Sequence, residues 1–359
     1  MELQQLRIHD LRLIEQLELQ LAPGWNLFVG PNGAGKTSIL EAAFLLSHGR
    51  SFRSGAKEAL IRSGSVGYSV YGELLRADAA IERVGVARSG SRLEARRDGA
   101  MVAVAELLRR TAVLCFEPGS HELILGPSDV RRRFLDWGVF HVEQDFLLQW
   151  RRYQRALKQR NALLRGEGRD ADLDVWDHEL AAAAEPLTAM RSRYCDALRP
   201  IVYEQLGDLL TELGTPSFVF EPGFDTDHSL QAVLGARRDR DRARGHTSAG
   251  PHRADWALTF EGAPRREYLS RGQEKLCAFA CVMAQAQLFA DTAGEWPIIG
   301  LDDIASELDL DHQQRIFAIV HASGAQILAT GTEEPAAFTA LNASVARFHV
   351  EQGRATALL

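Results

Sequence analysis

Cysteine, positive charge in excess and long apolar runs are all scarce in this chain of 359 residues. The four cysteines, Cys115, Cys195, Cys277 and Cys281, form no Cys-x-x-Cys pair. That spacing argues against a zinc ribbon or a dithiol redox centre and leaves reduced core thiols, small hydrophobes in effect. With 41 Lys and Arg against 48 Asp and Glu, the formal net charge is −7. A uniformly basic nucleic-acid coat is excluded, whereas a local binding patch is not. No segment approaches eighteen uninterrupted apolar residues, and Met1 to Gln5 show no basic region leading into an apolar run. The expectation is a cytoplasmic protein that does not enter a membrane. There is no internal repeat. What is present is an ordinary globular composition, 46% hydrophobic and 25% charged, sufficient for a sizeable core in one large domain or two lobes.

Against this background one stretch stands out. Gly30-Pro31-Asn32-Gly33-Ala34-Gly35-Lys36-Thr37 has two glycines five residues apart followed by Lys and Thr, the pattern of a phosphate-binding loop. Glycines let backbone N–H groups close on phosphate oxygens, Lys36 supplies a point charge, and the Thr37 hydroxyl can ligate Mg²⁺. Asn26 to Val29 reads as a buried strand, and Ile39, Leu40, Ala43 and Leu46 have helical spacing. Strand, loop and helix therefore follow in the order that places phosphate on a helix N-terminus.

Two short alternating strands, Leu3 to Ile8 and Leu13 to Leu19, precede the loop, broken at His9 to Arg12. After the loop helix, Gly49 to Ser54 is short and basic, either a solvated connector or a nucleotide or DNA contact. Residues 68–116 alternate, with turn signals at Ser89-Gly90 and Asp98-Gly99, and end in an apolar strand, Val113 to Phe116. Past Pro118 the character changes. Residues 128–165 carry Arg131, Arg132, Arg133, Arg151, Arg152, Arg155, Lys158, Arg160 and Arg165. Phe146, Trp150, Tyr153, Leu157 and Leu164 fall on one helical face, so the basic residues are expected on the others, as a solvated surface or a phosphate-backbone contact. Gly166 to Gly168 interrupts this helix, and a second pattern runs from Asp174 towards Leu213, with Pro186 and Pro200 expected to kink or divide it. The two halves read as a helical hairpin inserted into an α/β protein. Arg237 to Gly245 has mixed charge and no apolar face; a mobile loop is expected, a hydrated linker or a DNA-tracking segment.

Downstream, the apolar strand Trp296 to Leu301 ends in Asp302-Asp303, where a Mg²⁺ ligand and a residue to orient or deprotonate water are needed beside a phosphate loop. Leu269-Ser270-Arg271-Gly272-Gln273 precedes the most apolar helix of the chain, with Ser270 as its cap and Gln273 or Glu274 completing a capping box.

Leu-Ser-x-Gly-Gln resembles the signature loop of ATP-binding-cassette ATPases. The wide separation of the phosphate loop from the signature and from Asp302 to Asp309 resembles the SMC/RecF-type members. Leu40-Glu41-Ala42, Ser51-Phe52-Arg53, Pro127 to Asp136, Gly250 to Asp255 and Ser306 to Asp309 strengthen the resemblance across nearly the whole chain. It implies an α/β fold: an ABC-type P-loop ATPase head with mixed sheets plus an inserted α-helical lobe, a short helical hairpin. The expected division is residues 1–118 and 247–359 for the head and 119–246 for the helical lobe.

By the same resemblance, ATP phosphates are held by Gly30, Pro31, Asn32, Gly33, Ala34, Gly35, Lys36, Thr37 and Ser38, and Mg²⁺ by Thr37 and Asp302. Asp303 stands where most cassette ATPases have a catalytic Glu, which implies feeble turnover. Ser270, Gly272 and Gln273 act across an ATP-dependent homodimer, with Asp309 in the adjoining loop. No switch histidine is evident at Thr330-Gly331-Thr332, and Glu117 stands where a glutamine is usual. The implied function is a DNA clamp at gaps and single-strand/double-strand junctions. It would work with RecR and RecO to load RecA, in recombinational repair and the SOS response, in the nucleoid-associated cytoplasm. Alternatives are a structural SMC-like chromosome ATPase, a transporter-type ATPase or a metabolic P-loop kinase.

Overall fold

A computed structural model describes residues 1–53, 57–166, 169–303, 308–340 and 344–358. Strands β1 (Glu2–Leu11) and β2 (Ile14–Gln20) form a hairpin, and β3 (Trp25–Val29) leads into the glycine-rich loop and helix α1 (Lys36–His48). Strands β4 (Gly67–Leu75), β5 (Ile81–Ser89), β6 (Arg92–Arg97) and β7 (Ala100–Val102) follow, then α2 (Val104–Arg110) and β8 (Val113–Phe116). The middle of the chain holds α3 (Glu122–Leu125), α4 (Ser128–Val142), α5 (Phe146–Arg165), α6 (Asp170–Leu209), β9 (Pro216–Glu221), α7 (Leu230–Ala236), α8 (Arg238–Arg244) and β10 (Asp255–Phe260). Last come α9 (Arg271–Ala293), β11 (Ile298–Leu301), α10 (Leu310–Ala322), β12 (Ile327–Gly331), β13 (Val345–Glu351) and β14 (Arg354–Leu358).

Contacts divide the chain into two units, Met1–Ser120 with Gln285–Leu359, and His121–Ala284. The first contains two six-stranded sheets. One is antiparallel, in the order β2-β1-β4-β5-β6-β7, with hairpin turns at the anticipated Ser89-Gly90 and Asp98-Gly99. Asp98 and Gly99 both have positive φ, as a tight hairpin turn matching the strand twist requires. The other, in the order β14-β13-β3-β12-β11-β8, is parallel from β13 to β8. Helix α1 packs against β1, β4 and β5 of one sheet and β8 and β12 of the other. Its side chains from Ser38 to Ser47 are consequently all buried, and the weak polar face of its sequence reflects burial on every side.

The second unit is the helical lobe, in which α5 and α6 pair as a hairpin. It extends past residue 246 because β10 pairs antiparallel with β9 and packs on α4. Three expectations need correction. Pro186 and Pro200 do not divide the second helix: α6 runs unbroken through both, over 40 residues. Arg237 to Gly245 is no loop, since Arg238–Arg244 is helical and its Asp241 is fully buried. Arg131 and Arg160 are not displayed on an outer face. Arg131 is buried and grips Asp255 at 2.6 and 2.9 Å. Arg160 has no exposure and reaches Asp177 at 2.6 Å, Asp241 at 2.7 Å and Thr247 at 2.9 Å. Long cationic stems pay for burial with nearly complete pairing, which a face-by-face reading of one helix does not reveal. The motifs at Pro127 to Asp136 and Gly250 to Asp255 close on each other: Arg132 donates to Ala254 O at 2.8 Å, and Arg191 bridges Asp136 and Pro251 O. Helix α9 is long and apolar enough to span a membrane by composition, but 72% of its most apolar window is buried inside the protein. It is a core helix, and Cys277 and Cys281 on it are buried free thiols.

Candidate functional site

The carboxyl ends of β3, β12 and β11 lie side by side, the edge of a parallel sheet where ligands collect. At the end of β3 the chain turns so tightly past β13 that a Cβ on Gly30 would stand 2.0 Å from Val350 O. Only glycine fits. Gly35, at φ +109, takes the left-handed turn into α1, and its carbonyl accepts from Ser38 N and Ile39 N. Lys36 Nζ donates to Gly30 O at 2.7 Å and Pro31 O at 2.9 Å, which fixes the ammonium at the loop's mouth. Asn32 to Ser38 line a cleft of about 200 Å³ with Arg12, Leu13, Arg53, Asp303 and Thr330. The first turn of a helix presents N–H groups without intrahelical partners, suited to an anion there.

Asp302 follows β11 and is buried. Its Oδ1 accepts from Thr37 Oγ1 at 2.9 Å and Thr330 Oγ1 at 2.6 Å, while the Thr330 oxygen accepts from Asp303 N at 3.0 Å. Burial pushes the Asp302 carboxyl up from its ordinary range, against the two hydroxyl donors that favour the anion. Burial likewise lowers Lys36, opposed by the charges of Asp303 and Asp302. Asp303 has φ +49, a sparsely populated conformation for a residue with a side chain, of the kind concentrated at functional sites. Among the described residues no group of three or more His, Cys, Asp or Glu could hold a metal. Thr37 and Asp302 offer two hard oxygens beside the phosphate cleft, and that donor set fits Mg²⁺, which binds through one or two carboxylates together with phosphate and water oxygens.

The signature segment lies in the second unit. Ser270 N donates to Gln273 Oε1 at 3.0 Å and Gln273 N to Ser270 Oγ at 3.3 Å, the reciprocal capping box. A Cβ on Gly272 would meet nothing within 4 Å among the described residues, so none of them demands glycine there. In the first unit, Asp309 caps α10 by accepting from His312 N at 3.0 Å and His312 Nδ1 at 2.7 Å, which holds its carboxyl below the usual range. Ser306 and Glu307 lie outside the described residues. The structure thus brings the loop, Asp302 and Asp303 together in one unit.

Thr330, which stands where the resemblance implies a histidine, donates to the Asp302 carboxylate and accepts from the Asp303 backbone N–H. Arg12 and its partner Glu41 were missed as site residues. They meet across 29 positions, and no local pattern announces such a pair. Arg53, in the basic segment expected as either a connector or a nucleotide or DNA contact, lines the cleft.

A model of the RecF/RecN/SMC N-terminal domain family matches residues 2–356. The DNA replication and repair protein RecF of Stenotrophomonas maltophilia is 47% identical over 364 residues, covering 100% of both chains. The chain belongs to the RecF family. RecF of Erwinia tasmaniensis is 36% identical over 99% of this chain and 98% of its own. Among solved structures, that of the recombination mediator protein RecF with ATP in the RecFOR pathway aligns with a TM-score of 0.90 at 23% identity, covering 99% of this chain and 97% of that one. An Smc head bound to the C-terminal winged-helix domain of ScpA aligns at 0.58 and 13% identity, covering 100% and 97%. The architecture is accordingly that of an ABC-type ATPase head with mixed sheets and an inserted helical lobe, as the RecF resemblance implied.

Proposed function

We propose that this RecF-family chain is an ATP-dependent DNA-binding switch of recombinational and replication-gap repair, in which ATP pairs two copies head to head around DNA. The observation that carries the reading is the Thr37–Asp302–Thr330 cluster at the mouth of the Gly30–Thr37 loop. Loop amides and Lys36 hold the phosphates, and Thr37 and Asp302 hold Mg²⁺, which when bound neutralises charge on the phosphate oxygens. Asp303 orients the attacking water and takes its proton. Its side chain is one methylene shorter than Glu, which supports slow hydrolysis. Ser270 and the N-terminal amides of α9 reach the phosphates held by the partner copy, Gly272 leaves room for that approach, and Gln273 keeps the cap formed. Asp309 lies in the loop beside the same interface. The helical lobe would assist the grip on DNA at single-strand/double-strand junctions, with RecR and RecO as partners and RecA loading and the SOS response as consequences, in the nucleoid-associated cytoplasm.

Lys36→Met and Asp303→Asn test this together. Lys36→Met should abolish ATP binding and ATP-dependent retention on gapped DNA. Asp303→Asn should bind ATP and DNA normally and lose turnover by about a hundredfold or more. Wild-type turnover in Lys36→Met would overturn the reading.

A further inference from the structure

We infer that Glu41 is a positioning residue that presents two arginines from separate parts of the chain to the nucleotide cleft as one unit. The inference rests on the proposed ATP site. Glu41 projects from α1 with no exposure at all. Its Oε2 accepts from Arg12 Nε at 2.9 Å and its Oε1 from Arg12 Nη2 at 2.8 Å, a bidentate pair. The Ser51 hydroxyl donates to the same Oε1 and accepts from Arg53 N at 2.9 Å. One buried carboxylate thus fastens both the β1–β2 turn and the segment bearing Arg53, and Arg12 and Arg53 line the cleft with Lys36.

The details suit presentation better than simple charge burial. Arg12 adopts φ +55, and its Nη1 also donates to Ala59 O at 2.8 Å. Three of its five N–H donors are committed by Nε, Nη1 and Nη2, which leaves one on each terminal nitrogen for an anion in the cleft. The carboxylate takes the stem side of the guanidinium and a phosphate can take the rest. Arg53 is exposed, and its backbone is located by Ser51. Without Glu41, both arginines keep their charge and lose their direction, so binding suffers while folding need not.

The test measures the affinity of Glu41→Gln, Glu41→Asp, Ser51→Ala, Arg12→Ala and Arg53→Ala for a fluorescent ATP analogue with Mg²⁺, with circular dichroism and thermal melting as folding controls. Glu41→Gln and Arg12→Ala should each weaken binding about tenfold, and Glu41→Asp should recover part of the loss. Arg53→Ala should weaken wild type by several-fold and add little in a Glu41→Gln or Ser51→Ala background. Full wild-type affinity in folded Glu41→Gln, or losses that multiply independently in the double variants, would overturn the inference. If Glu41→Gln does not fold, the cycle of Ser51→Ala with Arg53→Ala decides alone, since Ser51→Ala leaves the Arg12–Glu41 pair intact. Lys36→Met separates the two levels of argument. If it loses binding while these variants do not, only the positioning role fails; if it too binds normally, the nucleotide site fails with it.

Discussion

Two buried polar clusters, one in each unit, look alike and are built to opposite ends. In the helical lobe, Arg160 sits between Asp177 and Asp241, and Arg238 adds to Asp177 at 2.7 Å. Every acid there faces a guanidinium, and Thr247 takes a further donor. In the ATPase head, Asp302 is nearly as buried, yet it makes no ion pair among the described residues and is met by two neutral hydroxyls. The lobe cluster is electrically closed and fixes the packing of α5, α6 and α8. The head cluster keeps a carboxylate in a state that burial disfavours, and on the proposed reading a cation arriving with phosphate would restore the balance. Burial of charge is common to both clusters; the balance of charge around it is what differs.

That contrast can be broken at either end. Arg160→Met leaves the buried Asp241 without its guanidinium and Asp177 with Arg238 alone, and should cost about 3–5 kcal/mol, read by denaturant unfolding, with ATP affinity unchanged in the folded fraction. Asp302→Asn keeps an oxygen for Thr37 and Thr330 and removes the disfavoured charge. Its stability at neutral pH should hold or rise, because a carboxyl with a raised folded pKa favours the protonated form in the native state. Its Mg²⁺-dependent ATP affinity should fall by about 10- to 100-fold. Were Asp302→Asn to destabilise as strongly as Arg160→Met, the distinction between the clusters would collapse.

A smaller effect sharpens the comparison within the lobe. His252 lies against Tyr153, with Nδ1 2.6 Å from the phenol oxygen and Nε2 3.0 Å from Thr247 O. Burial, with help from the charges of Arg253 and Arg132 and against that of Asp241, pulls its pKa down to about 4. Unfolded His252 takes up a proton as pH falls through about 6.5 and the folded residue does not, so the lobe loses stability on acidification, by roughly 2 kcal/mol between pH 7 and pH 5. His252→Gln should flatten that part of the pH dependence. Equal slopes for the two proteins in urea unfolding at several pH values would remove His252 from the account.

What could be read from the sequence follows how local the physics is. Gly30 to Thr37 and the Ser270–Gln273 box each complete their geometry within a few residues, so they could be read from spacing, whereas Asp302 meets Thr37 across 265 positions and Thr330 across 28 and stood out only as an acid pair at a strand end. Alternation likewise marked β1 and β2 and the turns at Ser89-Gly90 and Asp98-Gly99. The misses are long-range. Arg160 finds Asp241 across 81 positions and Arg12 finds Glu41 across 29, and in each pair a charged side chain, Arg160 in one and Glu41 in the other, is fully buried against a partner invisible to periodicity. The same pairing explains α8, whose inward face is an aspartate rather than an apolar stripe. Pro186 and Pro200 failed as breaks because a 40-residue helix packed along its length against α5 and α4 has enough tertiary support to tolerate them.

The claim that most of the reading hangs on is that the loop at Lys36 and the signature at Ser270 complete one site only between two copies. Sedimentation velocity of the wild-type protein and of Ser270→Arg, each with and without ATP and Mg²⁺ at saturating nucleotide, tests it directly. The account predicts a wild-type monomer that becomes a dimer with ATP, and a Ser270→Arg protein that binds ATP and stays monomeric. A wild-type protein that remains monomeric with ATP bound, or a Ser270→Arg protein that dimerises as well as wild type, would contradict it.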